Sequence, residues 1–205
     1  MKPKHLIAPL IVLVALCIGT QTLAQKQELG LNVGYGRTAI DYAHIQVVMP
    51  LDADFGPFYE IGGSYTYTTK QGFLSLNTGL NLDRRVSRFP SNWHTTYLTA
   101  PIGINLNFGN KIRFLVGGGL DASVLLRENT FLSSYRDLIL GVFLKVGAGY
   151  QITDMYRIML SYQTNFDATL MNVENMSSPG GIPYQLENKG YDGFLSLSVY
   201  RSIGK

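Results

Sequence analysis

Apolar and polar residues alternate with a period of two along most of this chain. The plainest run is Tyr97 to Phe108, YLTAPIGINLNF. Leu98, Ala100, Ile102, Ile104, Leu106 and Phe108 fall on one face, and Thr99, Pro101, Gly103, Asn105 and Asn107 on the other. Strand side chains point to opposite faces in turn, so the run predicts a strand that is apolar on one side and polar on the other. Seven further segments follow the same rule: Leu29–Arg37, Pro57–Thr68, Phe73–Arg85, Ile112–Arg127, Leu138–Ile152, Met155–Phe166 and Gly193–Ile203. On the first, Leu29, Leu31, Val33 and Tyr35 oppose Gly30, Asn32, Gly34 and Gly36. Tyr59, Ile61, Gly63, Tyr65 and Tyr67 share the apolar face of the second, and Leu74, Leu76, Thr78, Leu80 and Leu82 that of the third. Each segment reaches the roughly 9–11 residues that a tilted strand needs to cross a bilayer.

The face opposite the apolar one decides between two architectures. In a soluble β-sandwich it meets water and carries many charges. Here it is mostly Gly, Ser, Asn and Thr, which suits a narrow enclosed lumen. The expected fold is an all-β, up-and-down antiparallel transmembrane barrel of eight strands. Short connections at Thr69–Gly72, Gly109–Lys111 and Thr153–Asp154 alternate with longer ones at Thr38–Gly56, Val86–Thr96, Glu128–Asp137 and Asp167–Asp192. That rhythm assigns the short turns to the periplasm and the long loops to the outside, with both termini periplasmic. Phe108, Phe114, Tyr150 and Tyr156 flank the short turns as an interfacial girdle. The strand-like segment Ala39–Met49 is placed in the first outer loop or as an extension of strands one and two. As a strand in its own right it points to the alternative of ten strands, because bacterial barrels have even numbers.

The N-terminus reads as a secretion leader covering residues 1–24. Lys2 and Lys4 precede an apolar core from Leu6 to Ile18, and Thr22-Leu23-Ala24 forms a small-residue cleavage site. As a helix that core spans only about 20 Å, short of the hydrocarbon thickness. Leu16 before Cys17 does not fit a lipoprotein signal. Residues 25–205 are then the barrel domain, exported to the bacterial outer membrane. Cys17, the only cysteine, leaves with the leader, so neither a disulfide nor a thiolate metal site is expected. With Lys2 and Lys4 gone, 15 basic and 14 acidic side chains remain, a balance that gives no reason to expect nucleic acid or an anionic surface as a partner. No stretch beyond Ala24 approaches 18 apolar residues, which excludes membrane-spanning helices.

The chain resembles the PorT-like outer-membrane β-barrels. The likeness is carried by Tyr97-Leu98-Thr99-Ala100-Pro101-Ile102-Gly103-Ile104, then Phe108-Gly109-Asn110, and the glycine-rich Phe114-Leu115-Val116-Gly117-Gly118-Gly119-Leu120. Gly147-Ala148-Gly149-Tyr150 and the strand ending near Tyr162 continue it. Two features depart from the family: Ser75 to Leu80 lacks its glutamate-leucine pair, and the chain ends Tyr200-Arg201-Ser202-Ile203-Gly204-Lys205 instead of on an aromatic. The resemblance implies an eight-stranded barrel, some of whose relatives assist a protein secretion system.

Strand parity turns Glu60, Asp83, Arg113, Asp121, Lys145 and Arg157 into the lumen, three acids against three bases. An eight-stranded interior is just wide enough for side chains to fill, so these charges are expected to pair and plug it; a charged solute path is the alternative. Catalysis needs a base within reach of a nucleophile. His44 and His94 are the histidines after the leader, and Ser91 lies three residues before His94. A spacing of that kind alone carries little, so no enzyme is expected, a lipid-modifying barrel being the least favoured reading. No metal and no cofactor is expected either. Recognition is assigned to the loops. Asp167–Asp192 brings Met171, Met176, Ile182, Tyr184 and Leu186 around a Pro179-Gly180-Gly181 turn, and Val86–Trp93 brings Arg88, Phe89 and Trp93. Loops of more than about 12–15 residues in a small fold are often functional. The expected function is a non-enzymatic, monomeric membrane scaffold, seated in outer-membrane lipid, that binds a secretion or envelope-assembly protein; a narrow solute pore is the runner-up.

Overall fold

Eight strands, each hydrogen-bonded antiparallel to its neighbours, close into a barrel in the order β1 (Ala24–His44), β10 (Leu186–Ile203), β7 (Tyr156–Asp167), β6 (Leu138–Gln151), β5 (Ile112–Asn129), β4 (Trp93–Phe108), β3 (Leu74–Ser87) and β2 (Asp54–Thr69). The computed structural model describes residues 24–44, 54–70, 72–87, 93–129, 138–167, 176–177, 183–184 and 186–203. Between β7 and β10, β8 (Met176–Ser177) and β9 (Pro183–Tyr184) form a small ladder of their own, Met176 opposite Tyr184 and Ser177 opposite Pro183. The barrel therefore has eight strands, neither ten nor the two facing sheets of a sandwich. The expected leader lies outside the described residues except for Ala24, the first residue of β1.

The alternation read from the sequence is the alternation of the wall. On β6, Leu138, Leu140, Val142, Leu144, Val146 and Tyr150 are exposed while Ile139, Gly141, Phe143 and Gly149 are buried. Leu31 is 73% exposed, Leu120 65% and Ile61 60%. An apolar belt running all the way round is far larger than the patches water-soluble proteins carry, and lipid is the solvent that fits it. Tyr67 shares the outer face of β2 by parity but is buried, its ring edge-on to Tyr65 at 4.4 Å.

Tight turns define one end. Gly72 and Gly109 take positive φ, +73° and +89°, which other residues adopt only with strain. The Gly72 amide donates to the Thr69 carbonyl at 2.8 Å, and the Thr153 hydroxyl accepts from the amides of Met155 and Tyr156 at 3.3 and 3.2 Å. Aromatics ring this end: Phe73 meets Phe108 edge-on at 5.3 Å, and the Lys111 ammonium sits 5.5 Å from the Tyr150 ring. A second set, Tyr35 with Tyr59 at 5.4 Å and Phe166 with Tyr191 at 5.9 Å, marks the loop end.

The strands outrun their expected bounds at that loop end. β1 and β10 stay paired from Gln27 opposite Ile203 to His44 opposite Leu186. Eighteen tilted residues rise roughly 40 Å, against an apolar band of roughly 25 Å. So Leu186–Asp192, assigned to a loop by sequence, and Thr38–His44, assigned to a loop or to an extension of the first strand, are a ladder standing out of the membrane. Up to His44 the Ala39–Met49 segment is an extension of β1, and its remaining residues lie outside the described ones. β5 likewise runs on to Asn129, with an irregularity opposite Thr96 and Tyr97. Out of the bilayer, backbone pairing continues although no lipid contrast marks it in the side chains.

Ile104 is 56% exposed on the lipid face of β4, four residues in from Phe108 at the turn end. Ile104→Arg should destabilise the barrel by roughly 2–4 kcal/mol, measured by urea titration in lipid vesicles, whereas Ile104→Leu should leave the midpoint almost unmoved.

Candidate functional site in the barrel lumen

The lumen is filled in layers, and the layers come from different strands. At the turn end, Arg157 of β7 donates to both carboxylate oxygens of Glu28 on β1, at 2.6 and 3.4 Å. Lys26 joins the same carboxylate at 3.0 Å. The Arg157 guanidinium also lies 4.2 Å from the centre of the Tyr200 ring. Tyr200, Leu115 and Met159 pack together just above, all buried. Tyr200 has room because Gly30 faces it: a Cβ there would fall 2.6 Å from the ring.

At the loop end the same devices recur. Arg85 of β3 bonds Asp192 of β10 at 2.6 Å and lies 5.1 Å from the Tyr97 ring centre. Phe58 and Phe194 stack at 4.6 Å, and Tyr97 packs with Ile139 and Leu125. Between the two layers a polar chain runs along the lumen face of β1, β2 and β3. Ser64 donates to Asn32, Asn32 to Asn81, and Asn81 to Glu60, at 3.0, 3.1 and 2.9 Å. These residues line a cavity with Asn77, Pro101, Asn105, Phe143, Lys145 and Gln163. Its volume is about 20 Å³, room for one or two waters where one needs roughly 10–15 Å³. The ring contacts and ion pairs of the two layers lie on either side of this chamber.

Of the six lumen charges expected from parity, Glu60, Asp83, Asp121 and Arg157 are buried and Lys145 is half-buried against the cavity. Arg113 sits half-buried near the turn end, its Nε donating to the Asn110 carbonyl at 3.2 Å. The ion pairs draw on partners outside that set: Glu28 and Lys26 below, Arg85 and Asp192 above. Parity offered them, since Glu28 precedes Gly30 by two, Arg85 follows Asp83 by two and Asp192 precedes Phe194 by two; they were missed because they stand at or beyond the expected strand ends.

Of the recognition residues, Arg88 and Phe89 lie outside the described residues, as does Ser91. Trp93 opens β4, while Met176 and Tyr184 are opposite each other in the β8–β9 ladder. His94 is half-buried in β4 opposite Val86 and Asn129. Among the described residues no group of three or more His, Cys, Asp or Glu side chains is arranged to hold a metal ion.

Comparison with known proteins agrees with this architecture. The family model described as outer membrane protein beta-barrel domain matches residues 10–184. Among solved structures, OprG of Pseudomonas aeruginosa is similar with a TM-score of 0.54 at 7% identity, covering 89% of this chain and 98% of that one. Neisserial surface protein A follows at TM-score 0.51 and 12% identity, over 84% of this chain and 96% of that one. AlkL, solved by solid-state NMR in DMPC bilayers, gives TM-score 0.51 and 12% identity over 89% and 92%. At these identities the likeness is one of fold. No curated protein matches the sequence.

Removing Glu28 leaves the buried Arg157 uncompensated. Glu28→Ala should cost roughly 3–5 kcal/mol, and adding Arg157→Met should restore most of it. Denaturant titrations in vesicles followed by the fluorescence of Trp93, the single tryptophan, test this; a single variant within about 0.5 kcal/mol of wild type, as is usual for ordinary surface sites, would contradict the pairing.

Proposed function

The chain belongs to the outer membrane protein beta-barrel domain family and resides in the bacterial outer membrane, and from that premise we propose that it is a non-enzymatic scaffold whose loops or periplasmic turns bind a protein partner. The observation that supports this is the filled lumen. Rings and ion pairs cap both ends of a cavity that holds only a water or two. With the interior committed to packing, the surfaces left to act are those at the two ends and the wall.

The loop end favours a docking role. The β1–β10 ladder stands out of the membrane, and the β8–β9 ladder lies in the same connection. An ordered edge outside the bilayer costs a partner less conformational entropy than a free loop does. The candidate contacts are Arg88, Phe89, Trp93, Met176 and Tyr184, aromatic, arginine and methionine side chains of the kind enriched at interfaces. The partner class follows from the PorT-like resemblance and is a protein of secretion or envelope assembly. On this reading the protein is a monomer in outer-membrane lipid, carries no cofactor, and loses residues 1–24 on export.

The pore remains the second reading, supported by Lys145 and Glu60 on the cavity wall. In native membranes, chemical cross-linking followed by purification of this chain should recover one protein in near-stoichiometric amount. Replacing Arg88, Phe89 and Trp93 with serine should reduce that recovery at least tenfold without changing barrel abundance. Recovery of the bare barrel under every cross-linking condition would overturn the scaffold reading.

A further inference from the structure

The near balance of charge along the chain hides a segregation that only the fold makes. At the turn end the described charged side chains are the cations Lys26, Lys70, Lys111, Arg113, Arg157 and Arg201 against the acids Glu28 and Asp154. Toward the loop end the lumen reverses this balance. There the buried carboxylates of Glu60, Asp83, Asp121 and Asp192 stand with Arg85 and the half-buried Lys145.

Lys26, Arg113 and Arg157 stand on the lumen face, each two residues before a buried one: Glu28, Leu115 and Met159. Their contacts cross the mouth of the barrel instead of following the wall. Lys26 of β1 bonds Glu28 at 3.0 Å and, three strands round the ring, donates to the Gln151 side chain of β6 at 3.5 Å. Gln151 is opposite Arg157 on β7, and Arg157 returns to Glu28 at 2.6 Å. Arg113 of β5 is opposite Gly149, which puts its Cα roughly 8 Å from that of Gln151 at ordinary strand spacings. Leu115, Met159 and Tyr200 close the lumen just above.

The mouth thus holds three cations against one carboxylate. Glu28 serves both Lys26 and Arg157. Arg113 is half-buried, its Nε bonded to the Asn110 carbonyl at 3.2 Å, and it has no acidic partner among the described residues. Low-dielectric walls focus such an excess of charge toward the opening. Membrane lipid lies on the other side of the wall, where it meets different cations: Arg201, opposite the exposed Leu29, and Lys111 over the Tyr150 ring. A flexible anionic chain entering from the periplasm is what fits the mouth, because guanidinium and ammonium groups bond carboxylates in charge-assisted fashion. We propose that this mouth docks an acidic segment of a periplasmic protein, whose carboxylates bond Lys26 and Arg113. The class of the partner rests on the scaffold reading, and the site lies at the opposite end from the loop contacts.

Fluorescence anisotropy of a labelled glutamate-rich peptide tests this, with its glutamine counterpart as control and the barrel held in nanodiscs of zwitterionic lipid. The wild type should bind the glutamate peptide and ignore the glutamine one. Binding should vanish at about 1 M salt, where screening shortens to about 3 Å. K26Q and R113Q should each bind about threefold more weakly and K26Q/R113Q about tenfold more weakly, while keeping the gel shift of a folded barrel. Arg84→Gln, on the outer wall toward the loop end, should bind as wild type does. Equal binding of both peptides or undiminished binding by the double variant would overturn the proposal. So would phosphatidylglycerol retained in native mass spectrometry by the wild type and lost in K26Q/R113Q, which would give the mouth to lipid. The peptide reads the turn end and the cross-linking of loop variants reads the loop end, so either can fail without the other.

Discussion

Hydrocarbon offers no hydrogen bonds, so every backbone amide and carbonyl that crosses a bilayer must find its partner inside the protein. A strand cannot do this alone, and a sheet cannot do it at its edges. The closure of β1 onto β10, from Gln27 opposite Ile203 upward, is therefore what every other feature rests on: it removes the last two edges and makes the outer wall compatible with lipid. Closure at eight strands also sets the radius, and the radius decides what the inside can be.

A ring of this size leaves space for side chains and little more. Small residues on one strand make room for large ones on its neighbour, as Gly30 does for Tyr200 and Gly34 for Phe194, whose ring a Cβ at Gly34 would approach to 3.0 Å. The arginines are housed by the same arrangement. Arg157 lies against Tyr200 and bonds Glu28, and Arg85 lies against Tyr97 and bonds Asp192. Each guanidinium thus has a counter-charge and a ring face against it, and Arg157 also bonds both carboxylate oxygens of Glu28, which together offset the cost of burying an ion. Two layers built this way enclose the cavity between Asn32, Glu60 and Lys145.

Much of this was legible in the sequence because lipid on one side and a crowded lumen on the other impose opposite chemistry on alternate residues. The run from Tyr97 to Phe108 shows it residue by residue, and the parity of Glu60, Asp83, Asp121 and Arg157 follows from it. Legibility stops where that contrast stops. Beyond the bilayer, Ala39–His44 and Leu186–Asp192 keep their backbone ladder, but no lipid contrast imposes alternation there, so Leu186–Asp192 reads as loop and Ala39–Met49 equally as loop or strand extension. Ion pairing was hidden for a different reason. Glu28 and Arg157 are 129 residues apart, and what brings them together is the closure of the ring, which periodicity implies without stating the register.

On the proposed reading the lumen is packed shut. Single-channel recording of the refolded barrel in a planar bilayer tests it most directly. The membrane should stay silent at voltages where an open porin conducts, with Lys145→Ala equally silent. Discrete, ion-selective conductance steps that change when Lys145 is neutralised would contradict it.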